Sequence, residues 1–178
     1  MNSKNINKAK LYIADSIIFV LCVILDIVTK YVAIYKLKDH PSVSVISAVL
    51  ELRYLENVGA AFGLLKNQKY FFILVASIVF LVGLYVIIKS PGKKKYVWLN
   101  ILVILIMAGA TGNTIDRLLY GYVVDFIYFS IIDFPIFNVA DIFVTTSSVM
   151  LVALLVFYYK EDDLNFLKLM EKKIRDVN

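Results

Sequence analysis

The 178-residue chain holds one cysteine, Cys22, and one histidine, His40. A single cysteine excludes an internal disulfide, and one histidine in a basic loop leaves no plausible metal cluster and no Ser–His pair. Cys22 has no neighbouring group that would lower its thiol pKa, so it reads as a buried apolar side chain and not a nucleophile. Val20 and Leu21 precede it, rather than the small residues of a lipid-attachment site. Proline is scarce too: Pro41, Pro91 and Pro135 all fall in connections or at a helix start, so no helix interior is broken. Zinc-finger spacing, a Gly-rich phosphate loop and a basic patch interleaved with exposed aromatics are all missing. Nucleic acid is therefore not an expected partner, and neither a metal nor a cofactor is expected. Charge is low as well, at 19% of residues.

What fills the chain instead is apolar: 61% of residues are hydrophobic, against roughly 45–50% in a soluble domain. A soluble helical bundle this apolar would expose large greasy patches. The excess falls into four blocks, 11–35, 70–88, 96–115 and 134–159, each near the roughly 20 residues that a helix needs to cross a bilayer. The first is too long for the apolar core of a cleaved signal peptide and contains Asp26 and Lys30. The expected fold is an all-α membrane protein, a single domain over 1–178, with four transmembrane helices.

Basic residues set the expected orientation. Lys4, Lys8 and Lys10 precede the first span, Lys89, Lys93, Lys94 and Lys95 join the second to the third, and Lys160, Lys168, Lys172, Lys173 and Arg175 follow the fourth. The loop between spans three and four has no Lys, although the first loop carries Lys36, Lys38, Arg53, Lys66 and Lys69. The balance places both termini in the cytoplasm, and these flanks explain the net charge of +5.

Between the first two spans, Ser42 to Ser47 and Leu50 to Glu56 alternate apolar and polar residues. That period predicts short strands, a small extracytoplasmic sheet resting on the membrane. Asn57, Gly59, Ala60, Ala61 and Gly63 then form a small-residue stretch, either a turn and linker or a place where backbone approaches a ligand. The tail, 162–178, carries Leu164, Leu167, Met170, Ile174 and Val177 at helical spacing and reads as an amphipathic helix on the cytoplasmic surface.

The polar residues inside the apolar blocks carry the chemistry. A charge at a helix centre costs about 2.5–3.5 kcal/mol on insertion scales, so Asp26 and Lys30 need a reason to stay. Four residues apart, they share one helical face; a paired buttress and direct chemistry are compatible readings. Span three ends with Asn113, Asp116 and Arg117, after small residues at 108, 109, 110 and 112 that permit close packing. Arg117 reads either as a snorkelling anchor or as part of a polar network, with Asp116 as its obvious partner. Asp125 follows in the connection, flanked by apolar residues, and Asn138 and Asp141 open span four on one face. With the assumed orientation, all of these converge near the outer interface.

Only carboxylate chemistry remains. Two facing carboxyls share one proton; the charged one can take a proton from water, and the protonated one can hydrogen-bond a carbonyl oxygen gaining charge. Candidates are Asp116, Asp125, Asp133 and Asp141. Asp125 with Asp141 is favoured, since Asp116 has Arg117 beside it and Asp133 lies in an exposed turn.

Five stretches carry a specific resemblance: Asp26-Ile-Val-Thr-Lys30, Asn57-Val-Gly-Ala-Ala-Phe-Gly63, Gly109-Ala-Thr-Gly-Asn113-Thr-Ile-Asp116-Arg117, Val123-Val-Asp125-Phe126 and Phe137-Asn-Val-Ala-Asp141. In order, across roughly residues 11 to 159, they resemble the signature blocks of lipoprotein signal peptidase, the type II bacterial signal peptidase. That resemblance implies an inner-membrane aspartic protease. It would remove signal peptides from prolipoproteins on the N-terminal side of a diacylglyceryl-modified cysteine. It implies Asp125 and Asp141 as catalytic residues, with Asp26, Lys30, Asn57, Gly59, Asn113, Asp116, Arg117 and Asn138 binding substrate or supporting the site. The loop sheet would be an extracytoplasmic β-cradle between helices 1 and 2. Lipidated prolipoproteins and membrane lipids are the implied partners, and a monomer is expected. Ile27, Ala108 and Ile142 depart from the Gln, Gly and Ser typical of those positions, without removing an acid.

Two rivals stand beside this reading. An ion-coupled transporter would need polar residues along the full depth of a path, and spans two, three and four have almost none in their inner halves. A non-catalytic assembly protein would explain Asp26 with Lys30 but not Asp125 and Asp141, which lack basic neighbours in sequence. A presenilin-type protease is disfavoured because no Gly-x-Gly-Asp stretch occurs.

Overall fold

The computed structural model describes residues 6–59 and 65–167. Within it four helices are long and apolar enough to cross a membrane. Helix α1 spans Lys8–Leu37, α2 Lys69–Lys89, α3 Val97–Leu119 and α4 Val139–Phe157. Helix α1 begins where the Asn7 side chain accepts from the backbone N–H groups of Ala9 and Lys10. Its apolar side chains mostly face outward, with Ile17, Leu21, Leu25 and Val28 about half exposed. That pattern is natural only in lipid, where outward apolar groups meet acyl chains.

Helix α3 is the post around which the others stand. It buries Leu99, Leu102, Val103, Ile104, Met107 and Ala108, and it packs against α1, α2 and α4. Glycines let two neighbours come close. A Cβ on Gly112 would collide with the Asp26 carboxylate, and one on Gly109 would lie 2.5 Å from the Ala140 carbonyl oxygen. Replacing Gly112 with Ala should therefore lower stability by about 1–3 kcal/mol. Thermal unfolding in detergent checks this; an unchanged midpoint would mean that α1 and α3 are not packed through this glycine.

The strands gather at one end of the bundle. Strand β1, Val43–Ile46, pairs antiparallel with β2, Leu50–Asn57. Ala48, at φ 57°, makes the turn between them. Strand β3, Val123–Phe129, pairs antiparallel with β2, in a register that sets Asp125 opposite Leu55 and Val123 opposite Asn57. The third strand comes from the connection between α3 and α4, so the sheet is not confined to the loop between helices 1 and 2. The run Val123-Val124-Asp125-Phe126 lacks the apolar–polar alternation that marks a half-exposed strand, because all four residues are buried.

Two helix boundaries differ from the sequence-based expectation. Helix α3 continues to Leu119, past 115, because polar residues on its last turns face other protein groups and not lipid. Helix α4 starts at Val139 and not at 134, because the preceding segment is extended. There Phe137 donates to the Ile127 carbonyl at 3.0 Å and accepts from the Ile127 N–H at 2.8 Å. Asn138 is thus the residue that caps α4, not a member of its first turn.

The segments around Ile6 and Asp163 and the α2–α3 connection meet at the opposite end from the sheet. Ile6 donates to the Gly92 carbonyl at 2.7 Å, and Lys95 pairs with Asp163 at 2.5 Å. Tyr96 stacks on Tyr159, with ring centroids 5.5 Å apart. Glu161–Leu167 forms 3-10 turns and not the start of an amphipathic α-helix; the rest of the expected tail helix, and residues 60–63 of the small-residue stretch, lie outside the described residues. Cys22 is half-buried against the chain, not fully buried, on a face of α1 that lipid would cover.

Candidate active site

Five elements deliver polar groups to one place beside the sheet. Strand β3 brings Asp125, of which 1% is exposed. The end of β2 brings Asn57 and the turn after it Gly59. The last turns of α3 bring Asn113, Asp116 and Arg117, the middle of α1 brings Asp26 and Lys30, and the cap of α4 brings Asn138 and Asp141. The ten residues that the resemblance assigns to the site lie in this one connected cluster.

Asn138 joins the two favoured carboxylates. Its side-chain amide donates to Asp125 Oδ1 at 2.7 Å, to Asn113 Oδ1 at 3.1 Å and to the Val124 carbonyl at 3.3 Å. Its side-chain oxygen accepts from the Asp141 N–H at 2.9 Å, while its own N–H donates to Asp141 Oδ2 at 3.1 Å. This reciprocal pair is a capping box, with Asp141 in the N3 position. The geometry that starts helix α4 therefore also fixes the rotamer of Asp141.

Each carboxylate has one more amide donor. Asn57 Nδ2 donates to Asp125 Oδ2 at 2.8 Å, and Asn113 Nδ2 donates to Asp141 Oδ1 at 2.8 Å. Burial pushes the Asp125 carboxyl up to about 7, and the neighbouring Asp141 charge pushes in the same direction. The donors from Asn57 and Asn138 oppose this without cancelling it. The two acids line one cleft of about 360 Å³, together with Asn57, Asn113 and Arg117.

Behind the cleft lies a buried charge cluster. Lys30 Nζ sits 2.8 Å from Asp26 Oδ2, 3.1 Å from Asp116 Oδ2 and 2.8 Å from Asn113 Oδ1. Asp26 Oδ1 accepts from the Ala140 N–H at 2.9 Å, at the start of α4, and Asp116 Oδ2 accepts from the Val124 N–H at 3.0 Å, in β3. Each acid thus ties the lysine to an element that carries one of the two cleft carboxylates. Lys30 also decides how Asn113 is turned. With Oδ1 receiving from Lys30 and Asn138, only Nδ2 is left to face Asp141.

Arg117 is not the partner of Asp116. Its Nη2 donates to the Gly59 carbonyl at 3.0 Å and its Nη1 to the Asn113 carbonyl at 3.4 Å, and its guanidinium lies 4.3 Å from the Phe72 ring centroid. Neighbours in a helix sequence point about 100° apart, so adjacency in the chain misjudged this pair. Asp133 stands apart from the cluster, accepting from the Tyr128 hydroxyl at 2.7 Å. His40 is also remote, its Nδ1 2.7 Å from the Lys38 carbonyl oxygen.

Several cleft residues escaped the sequence reading. Phe134, Pro135, Thr145 and Thr146 line it. Thr145 is one helical turn beyond Asp141, a spacing that pointed to the same face. No sequence signal marks Phe134 and Pro135, because their place depends on the extended segment pairing with β3.

The signal peptidase (SPase) II family model matches residues 18–157. The lipoprotein signal peptidase of Clostridium tetani is 42% identical over 151 residues, 83% of this chain and 94% of that protein. That of Caldanaerobacter subterraneus is 43% identical over 142 residues, 79% and 94% of the two chains. Among solved structures, a bacterial membrane enzyme determined in meso at 2.3 Å superposes with a TM-score of 0.75 and 35% identity. It covers 90% of this chain and 97% of its own. A second, at 1.9 Å, gives a TM-score of 0.72 at 34% identity. The match to the family model spans well over half of a chain whose polar cluster takes residues from each block of the resemblance, and the chain belongs to the signal peptidase II family.

Proposed function

We propose that this aspartic endopeptidase removes signal peptides from diacylglyceryl-modified prolipoproteins, cutting on the N-terminal side of the lipidated cysteine, with Asp125 and Asp141 as the catalytic dyad. The observation that carries the reading is Asn138, whose side-chain amide holds the Asp125 carboxylate and whose backbone N–H holds that of Asp141, at the edge of a single cleft. Asp125, held up near 7 by burial, keeps the shared proton and hydrogen-bonds the scissile carbonyl oxygen as it gains charge. Asp141 receives N–H donors from Asn113 and from the Asn138 backbone, an arrangement suited to a carboxylate that takes a proton from the attacking water. Asn57, Asn113 and Asn138 orient the acids, and Arg117 with Gly59 shapes the wall of the cleft. Asp26, Lys30 and Asp116 hold the elements in register.

The whole of 1–178 works as one membrane domain. Both termini lie in the cytoplasm, the orientation that the lysine distribution favours, and the sheet forms an extracytoplasmic cradle at the outer leaflet of the bacterial inner membrane. The cleft opens there to substrates arriving in that leaflet, with membrane lipids around it. A monomer suffices for the reaction, since the two acids and their amide donors already meet within a single chain.

The direct test is cleavage of one prolipoprotein in two forms, with and without its diacylglyceryl group, by purified enzyme in lipid. The lipidated form should be cut and the other left intact; equal cutting of both would sink the lipid-directed reading. The pH profile of the same reaction is a second expected outcome. A shared proton is required, so activity should fall as pH rises through about 7, where Asp125 loses it. A kcat/KM profile still flat at two units above 7 would show that Asp125 works without its proton.

A further inference from the structure

A second buried polar pair lies at the opposite end of the bundle from the dyad, and catalysis has no use for it. Asp15 of α1 is 6% exposed and Asn100 of α3 is fully buried. Asn100 Nδ2 donates to Asp15 Oδ2 at 3.2 Å, while Asp15 Oδ1 has no hydrogen-bond partner among the described residues. Among the described residues no lysine or arginine pairs with Asp15, in contrast to Asp26 and Asp116, which share Lys30.

A cavity of about 410 Å³ adjoins this carboxyl between α1, α2 and α3. Its polarity is graded along its length. Asp15 and Tyr12 lie at the outer end, where the Tyr12 hydroxyl donates to the Ile88 carbonyl at 3.2 Å. Phe19, Phe80 and Met107 line the inner end, the two rings meeting edge to face at 5.9 Å. From Tyr12 to Val20 the cavity follows α1 for about 12 Å. Asp15 stands only about 10 Å along a 30-residue helix from its first residue, Lys8, and so near the membrane–water boundary. A polar head at the boundary and an apolar slot running inward is the outline of one single-chain amphiphile.

The charge selects its class. An anionic head would be repelled by Asp15, and a hydroxyl head would leave the carboxyl without an ionic partner. We propose that this cavity binds an amphiphilic amine, its nitrogen on the open Asp15 oxygen and its alkyl chain between Phe19, Phe80 and Met107. An alkylamine already carries its proton at neutral pH, so it docks as an ammonium on the Asp15 carboxylate and no covalent bond is made or broken. The result is an ammonium–carboxylate pair with no other reactant. Asn100 keeps donating to Oδ2 and leaves Oδ1 to the ammonium.

The test uses the full chain in phosphatidylcholine nanodiscs and two photolabels, dodecylamine and dodecanol, each with a diazirine at the chain end. The amine should label the peptides bearing Phe19, Phe80 or Met107 about tenfold more than the alcohol, the low end of what a hydrogen bond to a charged group supplies. Asp15→Asn should reduce the amine to the level of the alcohol while prolipoprotein cleavage stays intact, and Asp15→Glu should keep the preference. Equal labelling of wild type by both probes, or an amine preference that survives Asp15→Asn, would overturn the proposal. Should Asp15→Asn fail to fold, the wild-type comparison of the two probes decides alone.

Discussion

Asp141→Asn is expected to leave a folded enzyme that cuts prolipoprotein roughly 10³–10⁴-fold more slowly, the upper range for loss of a positioned acid–base group. The substitution keeps the volume, and the Asn side-chain oxygen can still accept from Asn113 or from the Asn138 N–H. What it removes is the capacity to take a proton from water. Asp125→Asn should be equally slow for the complementary reason, because an amide cannot supply the acidic proton. The double variant should be little slower than either single one, since both act on one step. Thermal unfolding in detergent must accompany each assay. Normal midpoints with lost cleavage support the dyad; normal midpoints with cleavage within tenfold of wild type would move the chemistry to other residues.

Lys30→Met should have the largest effect on stability, a loss of about 3–5 kcal/mol. Lys30 is 2% exposed and serves two carboxylates and one amide at once. Without it Asp26 and Asp116 are left facing each other in a buried site, and Asn113 loses the donor that fixes its amide. Adding Asp26→Asn to Lys30→Met should recover part of the midpoint but not the activity, because Asn113 would still be free to turn its oxygen toward Asp141. A wild-type midpoint for Lys30→Met alone would show that the cluster is neutral in the folded protein and would remove the electrostatic account of its role.

These outcomes rest on features that were unequally visible beforehand. The four spans were readable because lipid imposes length and hydropathy residue by residue, and Asp26, Lys30, Asn113, Asp141 and their neighbours stood out as misfits within them. Their common depth was expected from the assumed orientation. Pairing did not. Asp116 meets Lys30 rather than Arg117, a contact between helices that no local spacing encodes. Strand β3 stayed hidden because both of its faces are buried at Val123 to Phe126, which erases the period of two. Asp15 and Asn100 were passed over, although Asn100 is a fully buried amide near the start of α3. Each is a single polar residue in an apolar run, and only their meeting across two helices makes them notable.

The lengths of the helices bear on which membranes suit this enzyme. Helix α4 has 19 residues, about 28 Å, close to the thickness of one hydrocarbon core, whereas α1 has 30 residues and reaches about 45 Å. The long helix can absorb a change in bilayer thickness by tilting, but the short one has no slack. Asp141 rides in the first turn of that short helix, so hydrophobic mismatch acts on the proposed dyad itself. A thicker bilayer draws the cleft below the headgroups, and a thinner one lifts it toward water. Lipid acyl length thus becomes a setting of the reaction's own solvent.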